Sequence, residues 1–375
     1  MKQVVMHRGQ IEVLERQLPT VDEKSILVRT AFSLISSGTE RSAVQRGKRS
    51  IFSKVVSNPR KLKQAFQRLH DAGLKSLAGT AASNGRVTEL GYSCAGVVEK
   101  VGEAVIGFKE GDIVACAGTG RANHAEMVSI PANLAVKVPA GCPVKYAATV
   151  AAGAIALQGI RRSKLHVGES AAVIGFGLIG QITIQWLQIA GVQTIGFDLD
   201  SRRAQIAEAV GIKASTTPYP EQVEEALSFT EGWGVDSTII TAASRSDTIV
   251  QSAMQMTRKK GMVVVVGDVG LGLQRSPFYE KELDLVISCS YGPGRYDVSY
   301  EEEGIDYPYD YVRWTAGRNM QEYLRQITAK RIKPELFVEK TLPFEQAPEA
   351  YVLLQSSQNR PISILLEYHT NLDEL

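Results

Sequence analysis

Gly175-Phe176-Gly177-Leu178-Ile179-Gly180 separates the apolar run Ala171-Ala172-Val173-Ile174 from a helical pattern over 178–190, and Asp198 closes the next apolar run, eighteen residues after Gly180. A strand, a glycine turn, a helix and a second strand in that order commit this part of the chain to a parallel sheet with a phosphate-binding turn. Gly175 permits the tight turn, Gly177 lets the backbone approach a pyrophosphate, and Gly180 lets helix and strand pack closely. Phe176, Leu178 and Ile179 complete the turn, and the pyrophosphate would meet free N–H groups at the helix N-terminus. Asp198 would accept hydrogen bonds from the adenosine ribose and repel a 2′-phosphate, so NAD is favoured over NADP. Arg202 and Arg203 follow it and read either as a solvated helix face or as ligands of the cofactor. Gly267, at the end of a later predicted strand, joins the same cleft.

From residue 143 onward, predicted helices (145–162, 178–190, 201–210, 246–257) alternate with predicted strands (171–174, 194–198, 235–241, 262–267). That alternation predicts a doubly wound α/β sheet. Residues 1–40 and 87–140 instead carry short strand-like runs with glycine turns, such as Ile26-Leu27-Val28-Arg29-Thr30 and Ala95-Gly96-Val97-Val98, which suggest a small β-barrel or sandwich. A further helix is expected over 317–329.

The formal charge of +2 over 375 residues conceals an uneven distribution. Residues 41–86 hold eleven Lys and Arg against one acid, Asp71, with a helical pattern over 59–69. Residues 291–311 hold six tyrosines and six acids against Arg295 alone. The basic stretch reads as a solvated face, a lid over an anionic substrate, or a docking surface for a protein partner. With no reader motif and few aromatics, nucleic acid is not expected. The four cysteines form no CxxC pair, which predicts a reducing compartment, the cytoplasm. No run of about 18 apolar residues occurs, so no membrane span is expected.

The chain resembles the medium-chain dehydrogenase/reductase superfamily. The resemblance rests on Ile35-Ser36-Ser37-Gly38-Thr39-Glu40, Gly91-Tyr92-Ser93-Cys94-Ala95-Gly96, Gly111-Asp112-Ile113-Val114, His124-Ala125-Glu126, the glycine turn and Gly261 to Gly267, in the family's order. It implies a GroES-like β-barrel catalytic domain at 1–144, a Rossmann domain at 145–290 and a C-terminal return, 291–375, to the first domain. The zinc alcohol dehydrogenases of that family supply metal ligands where this chain has Ser37, Tyr92 and Ala151-Ala152. Those residues lack the deprotonated N, S or O donors that zinc requires, so no zinc is expected. Tyr291-Gly292-Pro293-Gly294-Arg295-Tyr296-Asp297 and Tyr311-Val312-Arg313-Trp314 resemble a zinc-lacking branch found in bacterial polysaccharide and surface-glycan biosynthesis. Some of its members are fused to a dehydrogenase domain of the glucose-fructose oxidoreductase type, which makes such a protein a candidate partner beside a second copy of this chain.

Without a metal, a side chain must move the carbinol proton or polarise the carbonyl. By family position Tyr92, His124, Tyr291 and Ser37 are the candidates. For each of Tyr92 and His124 a purely packing role is the alternative. Arg295, Tyr296, Asp297 and Arg41 are candidates for a sugar-like or anionic substrate, with a self-contained exposed loop as the alternative for the first three. The acids Glu301-Glu302-Glu303 read as a solvated face, and Cys94 as a buried inert thiol. The implied reaction is hydride transfer at a secondary alcohol or ketone of a sugar, nucleotide sugar or cyclitol. Enoyl or quinone reduction, and a non-catalytic NAD-binding scaffold, are the alternatives.

Overall fold

The computed structural model describes residues 1–38, 87–356 and 359–370. The basic stretch 41–86, with Arg41 and the helix expected over 59–69, lies outside the described residues. Strands β1 (Lys2–His7) and β2 (Gln10–Glu15) form a hairpin turning at Arg8 and Gly9, both at positive φ. The twelve-residue β3 (Ser25–Ser36) is the spine of a larger sheet. β4 (Thr88–Glu89) pairs with β1, and β5 (Ser93–Val101) pairs along β3. β6 (Ile113–Ala117), β7 (Met127–Pro131) and β8 (Ala135–Lys137) complete the N-terminal part. β6 joins β5, β8 joins β6, and β7 joins the first half of β3, all antiparallel.

One helix was expected over 145–162; two are present, α1 (Val144–Ala147) and α2 (Val150–Ser163). The break is held by a side chain more than fifty residues away. The Ser93 hydroxyl donates to the Ala148 carbonyl at 2.6 Å and accepts from the Ala151 N–H at 3.2 Å, satisfying two backbone groups that the interruption leaves open.

The alternating region then runs β9 (Ser170–Ile174), α3 (Leu178–Ile189), β10 (Gln193–Phe197), α4 (Ser201–Ala209), β11 (Lys213–Ser215), α5 (Glu221–Phe229), β12 (Val235–Ile240), α6 (Thr248–Met256), β13 (Thr257–Val265), α7 (Arg275–Phe278) and β14 (Asp284–Ile287). The strands form one six-stranded parallel sheet in the order β11-β10-β9-β12-β13-β14. Numbered within the sheet, that is 3-2-1-4-5-6, the doubly wound order whose reversal, here between β9 and β12, opens a crevice at the carboxyl ends of the strands. β13 starts five residues earlier than expected. Its first turn-out, Arg258-Lys259-Lys260, is polar and partly exposed, so the hydrophobic pattern begins only at Met262.

Beyond the sheet lie α8 (Val298–Glu301), α9 (Ala316–Thr328), β15 (Val338–Pro343), α10 (Ala347–Leu353) and β16 (Ser363–Glu367). β16 pairs antiparallel with the second half of β3, from Ser363 opposite Ser36 to Glu367 opposite Phe32, so the chain's last described strand closes the first sheet. α9 packs on α2 so tightly that a Cβ on Gly153 would lie 2.2 Å from the Tyr323 ring. Tyr323 is fully buried, and its hydroxyl meets Thr149 at 2.8 Å. Among the described residues, no helix is long and apolar enough to cross a membrane.

Candidate active site

The crevice is built on the glycine turn between β9 and α3. Gly175 sits at φ +100°, a region L side chains rarely adopt, and a Cβ there would meet the Ala242 backbone at 2.8 Å. A Cβ on Gly180 would lie 1.9 Å from the Gly175 carbonyl oxygen, so helix and turn touch backbone to backbone. Around Gly177 there is nothing within 4 Å of such a Cβ. The turn is thus closed on its sheet side and open at Gly177, where the N-terminus of α3 begins with no side-chain cap. Its first N–H groups have no intrahelical acceptor, which suits a phosphate. Thr241 and Ala242, just after β12, form the opposite lip, and sequence reasoning did not single them out. The Thr241 hydroxyl donates to the Gly175 carbonyl at 2.5 Å, and a Cβ on Gly267 would meet the Ala242 carbonyl at 1.9 Å. Their only signal in the sequence is a run of small residues, Thr241-Ala242-Ala243, closing an apolar strand.

Asp198 stands just past β10, beside the turn. Its carboxylate accepts from the Phe176 N–H at 2.6 Å and the Asp200 N–H at 2.9 Å. The two arginines after it are not a solvated face. Arg203 is 16% exposed, with Nε 3.3 Å from Asp200 and Nη1 3.9 Å from Asp198. Arg202 pairs with Glu339 and donates to the Arg360 carbonyl at 2.7 Å, tying α4 to the C-terminal segment. Each guanidinium already has a partner in the chain, which removes the simplest means of holding a 2′-phosphate.

Tyr92 and Tyr291 come together. Both are buried, and both belong to one cluster with Ala151, Ala152 and Leu178, the first residue of α3. Burial pushes the Tyr291 phenol well above the usual tyrosine range, against the opposing pull of Arg295; the neighbouring Tyr92 adds to the rise. Ser37 is buried at the end of β3, its N–H 3.4 Å from the Ile362 carbonyl. The positions that carry zinc ligands elsewhere in the resembling family therefore hold a serine hydroxyl, a phenol and alanine methyl groups. Among the described residues no three His, Cys, Asp or Glu converge on a point. This donor set does not fit a zinc ion, which needs imidazole, thiolate or carboxylate ligands.

His124, expected beside the cleft, packs against Gly91, the neighbour of Tyr92: a Cβ there would lie 2.9 Å from its ring. It is fully buried, and its Nδ1 lies 2.8 Å from the Ser33 hydroxyl, which in turn lies 2.9 Å from the Tyr368 hydroxyl. Ser33 and Leu34 point to opposite faces of β3; Leu34 packs in the tyrosine cluster, whereas Ser33 faces the imidazole. The imidazole also packs edge to face on the Tyr351 ring, centroids 6.4 Å apart.

The loop after β14 is largely self-contained. Arg295, with a side chain 7% exposed, pairs with Glu301 at 2.5 Å and lies over the Tyr296 ring at 4.2 Å and the Tyr291 ring at 5.5 Å. Asp297 caps α8 by accepting from the Ser299 N–H at 3.0 Å, and it also accepts from the Tyr307 hydroxyl. Tyr296 alone of these three projects outward, at 68% exposed. The acids read as a solvated face divide: Glu301 is half-buried against Arg295, whereas Glu302, 3.7 Å from Arg121, and Glu303 are exposed. Asp306 pairs with Arg318. Cys94 is buried opposite Cys116 on β6, both free, and that contact together with burial raises the Cys116 thiol.

A doubly wound sheet with an open glycine turn beside an antiparallel β domain is the arrangement found in solved alcohol dehydrogenases. The family described as zinc-binding dehydrogenase matches residues 179–303. The chain is 25% identical to the 2-dehydro-3-deoxy-L-galactonate 5-dehydrogenase of Pseudoalteromonas atlantica, over 56% of this chain and 70% of that one. It is 29% identical to the (R,R)-butanediol dehydrogenase of Bacillus subtilis, over 47% and 58%. It is 25% identical to the D-guloside 3-dehydrogenase of Escherichia coli, over 70% and 73%. The match thus spans little more than half of the butanediol dehydrogenase and under three quarters of the others. Among solved structures, the alcohol dehydrogenase TADH from Thermus sp. ATN1 superimposes with a TM-score of 0.74 at 20% identity, covering 98% of this chain and all of that one. The short chain alcohol dehydrogenase rspB from Escherichia coli CFT073, complexed with NADH, gives 0.70 at 18%, covering 98% and 99%. The chain is thus similar in sequence to dehydrogenases of alcohols and sugars, and it shares the fold of the solved alcohol dehydrogenases.

Proposed function

We propose that this chain is an NAD(H)-dependent dehydrogenase that moves hydride to or from a secondary alcohol or ketone of a sugar, nucleotide sugar or cyclitol without using zinc. The observation that carries the reading is the pairing of an open glycine turn and Asp198 with two buried tyrosines, Tyr92 at a position where the resembling zinc enzymes have a metal ligand and Tyr291 in the same cluster. The zinc-binding description of the matching family attaches to residues 179–303, a stretch containing none of Ser37, Tyr92, Ala151 or Ala152. The relatives named as sugar dehydrogenases support the substrate class.

NAD, when bound, supplies the hydride acceptor or donor. Gly177 and the first N–H groups of α3 hold its pyrophosphate, and Asp198 takes the adenosine ribose. Burial raises the Tyr291 phenol, which stays protonated through neutral pH. Tyr291, or Tyr92 in the same cluster, acts as hydrogen-bond donor to the substrate carbonyl and as the group through which the proton enters or leaves. Arg203, partnered by Asp198 and Asp200, supports NAD over NADP. Within this reading, residues 1–144 and 291–375 form the catalytic domain and 145–290 the nucleotide domain, in a cytoplasmic homodimer. Tyr296 is left as the substrate-facing residue of the loop, with Arg295 holding it from beneath and Asp297 capping the helix that follows.

Steady-state kinetics of Tyr92→Phe and Tyr291→Phe against a sugar and cyclitol panel test the assignment. One of them should lower kcat by about 10²–10⁴-fold while NADH binding holds. Full turnover in both variants, or activity confined to quinones or enoyl compounds, would remove the tyrosine mechanism. NADH binding with no turnover on any substrate would leave a scaffold.

A further inference from the structure

A cavity of about 860 Å³ lies at the far end of α3 from the glycine turn. It is lined by residues of α2 (Leu157, Ile160, Arg161), the end of α3 (Trp186, Ile189), Trp314 just before α9, and α9 itself (Glu322, Arg325). At ~1.5 Å per residue, the twelve residues of α3 set it about 18 Å from the phosphate-binding turn. It is therefore separate from the nucleotide crevice.

Its charge is one-sided. Arg161, Lys164, Arg313, Arg325 and Arg331 line it against the single acid Glu322. Among the described residues only Arg325 of these five cations has a carboxylate partner, gripping Glu322 with Nε and Nη2 at 2.8 and 2.7 Å. Arg161 and Arg313 both lie on the Trp314 ring, at 3.4 and 3.8 Å from its centroid. Arg161 is further oriented by donating from Nε to the Asn319 side chain at 2.8 Å. Two like charges held over one indole repel, and burial together with the Arg313 charge lowers Arg161 to about 10 in spite of the opposing pull of Glu322. The floor, by contrast, is apolar: Leu157, Ile160, Leu165, Trp186 and Ile189.

The geometry points to a second ligand site here, for a small amphipathic anion: one or more phosphate or carboxylate groups joined to a ring or short apolar body. Guanidinium groups offer forked donors that match phosphate and carboxylate oxygens, and an anion relieves the Arg161–Arg313 repulsion. The apolar floor takes the rest of the molecule. Concavity and a mixed lining favour a small molecule over a polyanionic strand, which needs an extended basic track with stacking platforms.

Isothermal titration of the full chain with 1-naphthyl phosphate, at constant ionic strength, tests this. Tryptophan fluorescence serves as a second readout, since Trp186 and Trp314 line the cavity. One site per chain is expected, binding about tenfold or more tighter than inorganic phosphate. The double variant Arg313→Gln/Arg331→Gln, both exposed side chains, should weaken it by about tenfold or more with an unchanged thermal melt. Glu322→Gln removes the only acid and should tighten it. No binding, binding unaffected by the double variant, weaker binding in Glu322→Gln, or naphthyl phosphate no better than phosphate would overturn the site. Preference for a single-stranded oligonucleotide at equal phosphate concentration would overturn the ligand class.

Discussion

Two glycines of one turn should fail in different ways. Gly177→Ala places a methyl where nothing lies within 4 Å, at a φ of −67° that alanine adopts freely. The free protein should melt as the parent does. The methyl nonetheless occupies the space through which a pyrophosphate must approach the backbone, so NADH affinity should fall about tenfold or more. Gly180→Ala places a methyl 1.9 Å from the Gly175 carbonyl oxygen and 2.9 Å from the Thr241 hydroxyl. Backbone cannot rotate away as a side chain can, and α3 is locked by the buried Leu178, Ile182 and Ile184. Overpacking of this kind costs about 1–3 kcal/mol or more, while alanine in a helix returns roughly 1 kcal/mol over glycine. With a backbone clash the upper end of the cost applies, leaving a net loss of about 1–2 kcal/mol and a Tm lowered by about 1–3 °C in a chain of this length. NADH binding should fall as well, because the turn and the helix N-terminus no longer meet. Differential scanning calorimetry and NADH fluorescence titration separate the two effects. NADH affinity unchanged in Gly177→Ala would refute the approach of the pyrophosphate to that backbone. An unchanged Tm in Gly180→Ala would refute the close packing.

Asp198→Ala should weaken NADH by about tenfold or more, through loss of charge-assisted hydrogen bonds, and narrow the gap to NADPH; a variant still preferring NADH by the parent's margin would contradict the role of Asp198. Ser93→Ala leaves the Ala148 carbonyl and Ala151 N–H without their partner at the α1–α2 break, and chemical denaturation should show a loss of about 1–3 kcal/mol. Burial alone would raise the Asp236 carboxyl, but the Ser170 N–H and hydroxyl and Arg258 outweigh it and hold it below the ordinary carboxylate range. A depressed folded-state pKa contributes stability above the unfolded-state value, about 3.9, that is lost as pH falls through the folded one. Acid denaturation of Asp236→Asn should therefore be shallower than the parent's below that value; superimposable curves would contradict it.

The parallel sheet was legible because its signal is local. Each strand is an apolar run next to its own turn, and the glycines at 175, 177 and 180 declare the crevice within six residues. What escaped the sequence depends on groups brought in from elsewhere. Nothing near Ala148 announces a helix break, because Ser93 causes it from a strand in another sheet. Of the acids Glu301 to Glu303, Glu302 and Glu303 are exposed as expected, but Glu301 is drawn in by Arg295, a partner that the run of like charges does not announce. The hydrogen bond that joins His124 to Ser33, ninety-one residues earlier, was likewise beyond the reach of local pattern. The basic cavity collects arginines from positions 161 to 331 and has no sequence signature at all.

The central claim is hydride transfer through tyrosine rather than metal. Its most direct test is turnover of the exhaustively chelated, tag-free protein on a sugar and cyclitol panel, followed by NADH absorbance with zinc measured in the same sample. The account predicts NAD-linked activity that persists at substoichiometric zinc and does not rise when zinc is added back. Activity that vanishes on chelation and returns with one zinc per chain would contradict it.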